Sequence, residues 1–144
     1  AIVRSGCEWL DNPTFVSALE QLRSVVDQVD TPLIFTNGDY QPGNFLTDGC
    51  KITGIIDFEH ASFQDPLMGF VKYPIYDLLP LSRTNLIDSV LADTGFSRRE
   101  FAIRMVAGCL KTLVCGIPYQ GGEPSMQAYR HRVLELLTAE TSLL

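Results

Sequence analysis

The sequence predicts an α+β domain that is predominantly helical, and three observations carry that expectation. Apolar residues recur at helical spacing in three separate stretches, near 13–29, 97–115 and 126–138. A single strong hairpin signal, Asp48-Gly49 between two short apolar runs, lies near the middle of the chain. The chain has 144 residues, 46% of them hydrophobic, which is the size and composition of one domain with a real core.

The first helix is expected from Pro13 to Val29. Asn12-Pro13 has the form of a cap followed by a first-turn proline, and Phe15, Val16, Leu19, Leu22, Val25, Val26 and Val29 then share one face. Asp30-Thr31-Pro32 ends it, and residues 33–36 read as a short buried strand. Residues 44–47 and 51–57 form the hairpin. A two-residue turn at Asp48-Gly49 would set Asn44 near Thr53 and carry Asp57 about four residues further, back toward residue 40. Asp65-Pro66 starts a helical segment that Pro74 kinks or ends. A shorter helix covers 84–93. Ser97 and Glu100 form a capping box before a helix that Gly116 and Pro118 stop, Gly121-Gly122 is a loop, and a last helix spans 126–138.

The formal net charge of -6 excludes the basic field that a nucleic-acid backbone requires. The lysines are Lys51, Lys72 and Lys111, and the pairs Arg98-Arg99 and Arg130-Arg132 read as solvated helix faces. The acidic balance favours a cationic small-molecule partner. Cys7, Cys50, Cys109 and Cys115 lack zinc-finger spacing and follow no leader-like segment, so reduced, buried thiols in a cytoplasmic protein are expected. No apolar run approaches membrane-spanning length, so neither membrane nor nucleic acid is an expected partner.

The stretch T-N-G-D-Y-Q-P-G-N-F-L, residues 36–46, places an aspartate and an asparagine on a turn stiffened by glycine and proline. Phosphoryl transfer needs a carboxylate to orient and deprotonate a hydroxyl, and hard oxygen ligands to hold Mg²⁺ against phosphates. Asp39 and Asn44 can supply the base and one ligand from this loop, and Asp57, in I-I-D-F-E at the end of the hairpin, can supply the second ligand. The order D-x-x-x-x-N, hairpin, I-D-F-E is that of a kinase catalytic loop followed by a metal-binding aspartate.

N-G-D-Y-Q-P-G-N-F-L, I-T-G-I-I-D-F-E-H-A and the following D-P together resemble the aminoglycoside phosphotransferase and choline kinase family, whose pattern runs H-G-D-x-x-x-x-N, I-D-[FW]-E, D-P. The resemblance is specific over about residues 33–66. It implies the C-terminal lobe of a protein-kinase-like fold, ATP as donor and Mg²⁺ as cofactor, with transfer to a hydroxyl of an aminoglycoside-, choline- or sugar-like substrate. By position, Asp39 resembles the catalytic base, and Asn44 and Asp57 resemble the metal and nucleotide ligands.

Three departures accompany the resemblance. Asn37 stands where the family has histidine. Gly69 stands where many relatives have an aspartate that anchors the catalytic loop, a task that would pass to another carboxylate such as Asp65. The nucleotide-covering lobe with its phosphate-binding lysine does not fit within the residues before the motif, so 1–144 is read as one lobe whose bare face would favour self-association. The rival expectation is a non-catalytic binding or regulatory module, or an inactive fragment, that keeps the lobe's shape. A metal-dependent hydrolase using Asp39 and Asp57 is a third. Glu59 is a candidate to support the metal or a substrate amine, or a structural carboxylate, His60 reads as a surface or packing residue and His131 as a surface one, and Trp9, Phe63, Phe70, Tyr73 and Tyr76 read as core or interface.

Overall fold

The computed structural model describes residues 11–76, 84–115 and 126–144. Cys7, Trp9 and the expected Gly121-Gly122 loop lie outside them.

Helix α1 spans Pro13–Val25 and tightens into a 3-10 turn, Val26–Gln28. Its start follows the sequence: the Asn12 side chain accepts the Phe15 amide at 3.1 Å, and Pro13 occupies a position whose amide needs no partner. Four short strands follow, β1 (Ile34–Thr36), β2 (Phe45–Thr47), β3 (Ile52–Ile55) and β4 (Ser62–Gln64). They form two antiparallel pairs, β1 with β4 and β2 with β3. The second pair is the expected hairpin. Strand β4 was not expected, because three residues hold no periodicity and only the distant pairing makes them a strand.

Two expectations for this region are corrected. Residues 33–36 are not buried: Leu33 is 61% and Phe35 60% exposed, and Phe63, opposite Phe35 on β4, is 69% exposed. None of the described elements covers that face. The hairpin register also differs. The Asp48 carboxylate accepts the amides of Cys50 and Lys51 at 2.9 and 3.1 Å, so the turn takes in residues 48–51 rather than two residues. These two bonds also hold the Asp48 carboxyl below the usual carboxylate range. The register is therefore Phe45 with Ile55 and Leu46 with Gly54, with an irregularity before Thr47. Asn44 faces Ile56, whose amide donates to the Asn44 carbonyl at 2.9 Å. Asp57 thus lies one residue past the partner of Asn44 instead of four.

Asp65-Pro66 starts a chain of tight turns rather than a helix, with Met68 bonded to Asp65 and Phe70 to Leu67. These lead into α2, Lys72–Tyr76. Pro74 falls in the first turn of α2, where its missing amide breaks nothing. Helices α3 (Leu86–Thr94), α4 (Arg98–Cys115) and α5 (Met126–Thr141) complete the order. The capping box forms as expected: Glu100 accepts the Ser97 amide at 2.7 Å, and Ser97 Oγ accepts the Glu100 amide at 3.2 Å.

The core lies where α4 meets α1 and α5. Met105, Val106 and Cys109 on α4 are sealed against Val133 and Leu137 on α5 and Ala18 on α1. Leu67, Val71 and Ile75 enter the same core from the segment that follows the sheets, which is how the site is fastened to the helices. One ion pair lies inside this junction. Arg104 Nε reaches Asp65 Oδ2 at 2.6 Å, with the two side chains 4% and 13% exposed. The arginines expected on solvated faces have partners: Arg98 pairs with Glu140 at 2.6 Å, and Arg132 donates to the Pro74 carbonyl. Of the described thiols, Cys109 is buried as expected, whereas Cys50 and Cys115 are exposed. Cys50 lies in the hairpin turn and Cys115 at the end of α4, both outside the core.

Two outcomes follow from this packing. Asp65→Ala strands the buried Arg104 guanidinium and should lower unfolding stability by about 3 kcal/mol or more in urea titrations; a loss below about 1 kcal/mol would remove the pair from the junction. Burial pushes the Cys109 thiol up to about 12. At pH 8 the native protein should therefore alkylate at Cys50 and Cys115 but at Cys109 only after unfolding, as mapped by mass spectrometry.

Candidate active site

The loop between β1 and β2 is built on two close approaches. Gly38 has φ 78, and a Cβ there would lie 2.8 Å from the His60 carbonyl oxygen, so no larger residue fits without displacing the chain before β4. Two residues on, the Tyr40 ring lies flat against Gly69, where a Cβ would fall 2.2 Å from Tyr40 Cδ2. The Tyr73 hydroxyl donates to the Tyr40 carbonyl. Burial, then the nearby Asp39 charge, raises the Tyr73 pKa, so this hydroxyl stays protonated as a donor.

Asn37 is only 3% exposed and is the buried hub of the loop. Its Nδ2 donates to the Asp39 carbonyl at 3.0 Å and to the Ile56 carbonyl at 3.3 Å, while its Oδ1 accepts the Asp39 amide at 3.4 Å. The side chain therefore bonds locally, as its type allows, and also ties the Asp39 loop to the residue preceding Asp57. The sequence did not reveal that second contact.

Asp39 and Asn44 are brought together. Asn44 Nδ2 donates to Asp39 Oδ2 at 3.2 Å and to the Asp39 carbonyl at 3.1 Å. This fixes the amide so that its nitrogen faces Asp39 and its oxygen is left available. The other carboxylate oxygen of Asp39 accepts from Lys72 Nζ at 2.7 Å. Lys72 was missed by sequence reasoning; the one available signal was its rarity, as one of three lysines in an acidic chain.

Asp57 follows Ile56, whose amide is held by Asn44 and whose carbonyl is held by Asn37. Its φ of 62 makes it the one non-glycine among the described residues with left-handed backbone. The carboxylate is exposed and makes no hydrogen bond or ion pair among the described residues. Among those residues no group of three or more His, Cys, Asp and Glu side chains forms a metal cluster. The available set is instead one carboxylate and one amide oxygen. That set fits Mg²⁺, which commonly takes one or two protein oxygens and completes its shell with water and phosphate.

The remaining expectations resolve simply. Asp65 does not take up the task of the anchoring aspartate that Gly69 displaces, because its oxygens go to the Leu67 amide and to Arg104. The loop is held instead by Tyr73 and Lys72. Glu59 and His60 pair with each other at 3.4 Å on the surface, and His131 is likewise exposed beside Glu135. A cavity of about 400 Å³ adjoins the loop, lined by Gly38 of the loop and by Lys72 of α2.

The Tyr40–Gly69 contact is testable without a substrate. Gly69→Ala should cost about 1–3 kcal/mol of stability by overpacking, and in a Tyr40→Ala background that cost should fall below about 0.5 kcal/mol. Equal costs in both backgrounds would mean that the ring does not bear on Gly69.

The family model described as the phosphotransferase enzyme family matches residues 5–102. No curated protein and no solved structure matches the chain. The matched span contains Asp39, Asn44, Asp57 and the Asp65-Pro66 turn, and it covers well over half of the sequence. The order of loop, hairpin and aspartate read from the sequence thus agrees with the family match: the chain belongs to the phosphotransferase enzyme family.

Proposed function

We propose that the chain is the catalytic and acceptor-binding lobe of an ATP-dependent, Mg²⁺-dependent small-molecule kinase of the aminoglycoside phosphotransferase and choline kinase type. The observation that carries the reading is the bonded path from Asp39 through Asn44 to Ile56 and Asp57. It supports one set of oxygens acting at a single centre. Asp39 is the base: it orients the acceptor hydroxyl and takes its proton as the oxygen attacks the terminal phosphorus and the bond from that phosphorus to the departing ADP breaks. Asn44 Oδ1 and the Asp57 carboxylate are the metal ligands. Bound Mg²⁺ would supply the charge neutralisation that the phosphates require. Asn37, Tyr73 and Lys72 position these groups and take no part in bond making, so the protein's contribution is orientation and electrostatics.

The exposed apolar side chains on and beside the two strand pairs, Phe35, Phe63, Ile52, Ile55 and Ile56, support the single-lobe reading. A nucleotide-covering lobe would bury part of this surface, and without one it would promote self-association. A cytoplasmic location is part of this proposal. No described helix is long and apolar enough to cross a membrane.

A non-catalytic module is the second reading, favoured by one observation: both oxygens of Asp39 are already engaged, by Lys72 and Asn44. Calorimetry separates the two. The kinase reading expects ATP binding that requires Mg²⁺ and is abolished by Asp57→Ala; binding that ignores the metal, or none, favours the module. In the active enzyme, Asp39→Ala should lower kcat on the order of 10²- to 10⁴-fold while leaving Mg·ATP affinity nearly unchanged. Turnover close to that of the unaltered enzyme would remove Asp39 from the role of base.

A further inference from the structure

We propose that the acceptor is a small anionic hydroxyl compound whose negative group is received by Lys111 and Lys72 in the cavity beside the catalytic loop. The inference rests on the kinase reading of Asp39 and narrows it.

The cavity measures about 400 Å³, room for a small metabolite, and runs from Gly38 and Lys72 to Lys111, Thr112 and Cys115 on α4. Its charge is one-sided. Two of the chain's three lysines line it, in a sequence of net charge -6, and no carboxylate is among its described lining residues. Lys72 shares its charge with Asp39 at 2.7 Å. Lys111 is exposed and has no ion-pair partner among the described residues, so its charge is the uncompensated one. The aromatic residue in the described lining, Tyr76, stacks its ring on Tyr129 at 6.4 Å, which occupies one of its faces.

A cationic acceptor needs carboxylates or open aromatic faces. Here it would meet two ammonium groups. A carboxylate or phosphate would instead pair with Lys111 and draw on the donors of Lys72 left over from Asp39, since an ammonium has three. Thr112, on the same helix, adds a hydroxyl. The link between Lys72 and Asp39 then has a use beyond holding the loop. One side chain touches both the anion and the base, which sets the acceptor's charged group at a fixed remove from the carboxylate that must take its proton. Specificity for an anion is thereby built into the element that positions Asp39.

The test uses three small hydroxyl compounds of different charge: anionic glycerol 3-phosphate, neutral glycerol and cationic choline. Isothermal titration of the chain, at low salt and in the presence of saturating Mg·ATP, should give glycerol 3-phosphate at least about tenfold the affinity of either other probe. Lys111→Glu, at an exposed helical position, should erase that preference, and Lys111→Arg should keep it. Choline or glycerol binding as tightly as glycerol 3-phosphate overturns the proposal, as does a preference that survives Lys111→Glu. Displacement of glycerol 3-phosphate by Mg·ATP also overturns it, because the lysines would then hold the nucleotide's phosphates. A parallel titration with Mg·ATP alone keeps the two readings apart. Nucleotide binding without anion preference sinks this inference and leaves the kinase reading standing; no nucleotide binding sinks both.

Discussion

The site depends on one steric constraint, the contact of the Tyr40 ring with a bare backbone at Gly69. The loop that bears Asp39 has no regular structure of its own beyond one 3-10 turn, so it takes its position from what it leans on. Gly69 lies between Leu67 and Val71, both sealed in the helical core, and the ring is pressed onto a surface that cannot move. Tyr73 then binds the Tyr40 carbonyl, and its neighbour Lys72 binds Asp39. A carboxylate at position 69 would do this work by reaching toward the loop; a glycine does it by letting the loop come in. Two different side chains thus give one mechanical result, anchorage of the loop on the helices behind it.

The second support is polar. A two-stranded sheet alone is marginal in water, and the described residues form two of them with exposed apolar side chains. Asn37 joins them. Its buried amide spans from the end of β1 to the residue after β3, replacing with side-chain bonds the ladder that the two sheets do not share. Ile56 is consequently held on both its amide and its carbonyl, and the next residue is the one with left-handed backbone. Such a conformation costs roughly 1–3 kcal/mol for a residue with a side chain. It persists at Asp57 because the chain before it is over-determined, and it leaves the carboxylate exposed and unengaged while its neighbours are tied down.

What the sequence disclosed divides along these lines. Local chemistry was legible: the Asn12 cap, the Ser97–Glu100 box, the apolar stripes of α1 and α4, and the pairing of Asp39 with Asn44, all of which act within a few residues. Effects that depend on distant chain were not. Strand β4 exists because β1 lies beside it, and Lys72 reaches Asp39 across thirty-three residues. The hairpin register failed for a narrower reason. Asp48-Gly49 suits a two-residue turn, but the Asp48 carboxylate captures the amides of Cys50 and Lys51 and widens it. A side chain competing for backbone donors is invisible to a rule that scores the dipeptide alone. The observed register favours the functional reading, since it brings Asp57 nearer to Asn44 than the two-residue turn would have done.

Charge illustrates the same separation between composition and place. A net charge of -6 directed attention to cations. Surface charges act over about 8 Å at physiological ionic strength, so a total spread over the whole surface says little about any one cavity. Within that range of Asp39 the structure puts Lys72, and the cavity that begins there continues to Lys111. The ligand meets the local field, which the fold assembles from residues far apart in sequence. On the reading of Asp39 as the base, a local field that already places an ammonium group on that carboxylate would govern two events at once: which acceptor is admitted, and how firmly the carboxylate that must take its proton is held.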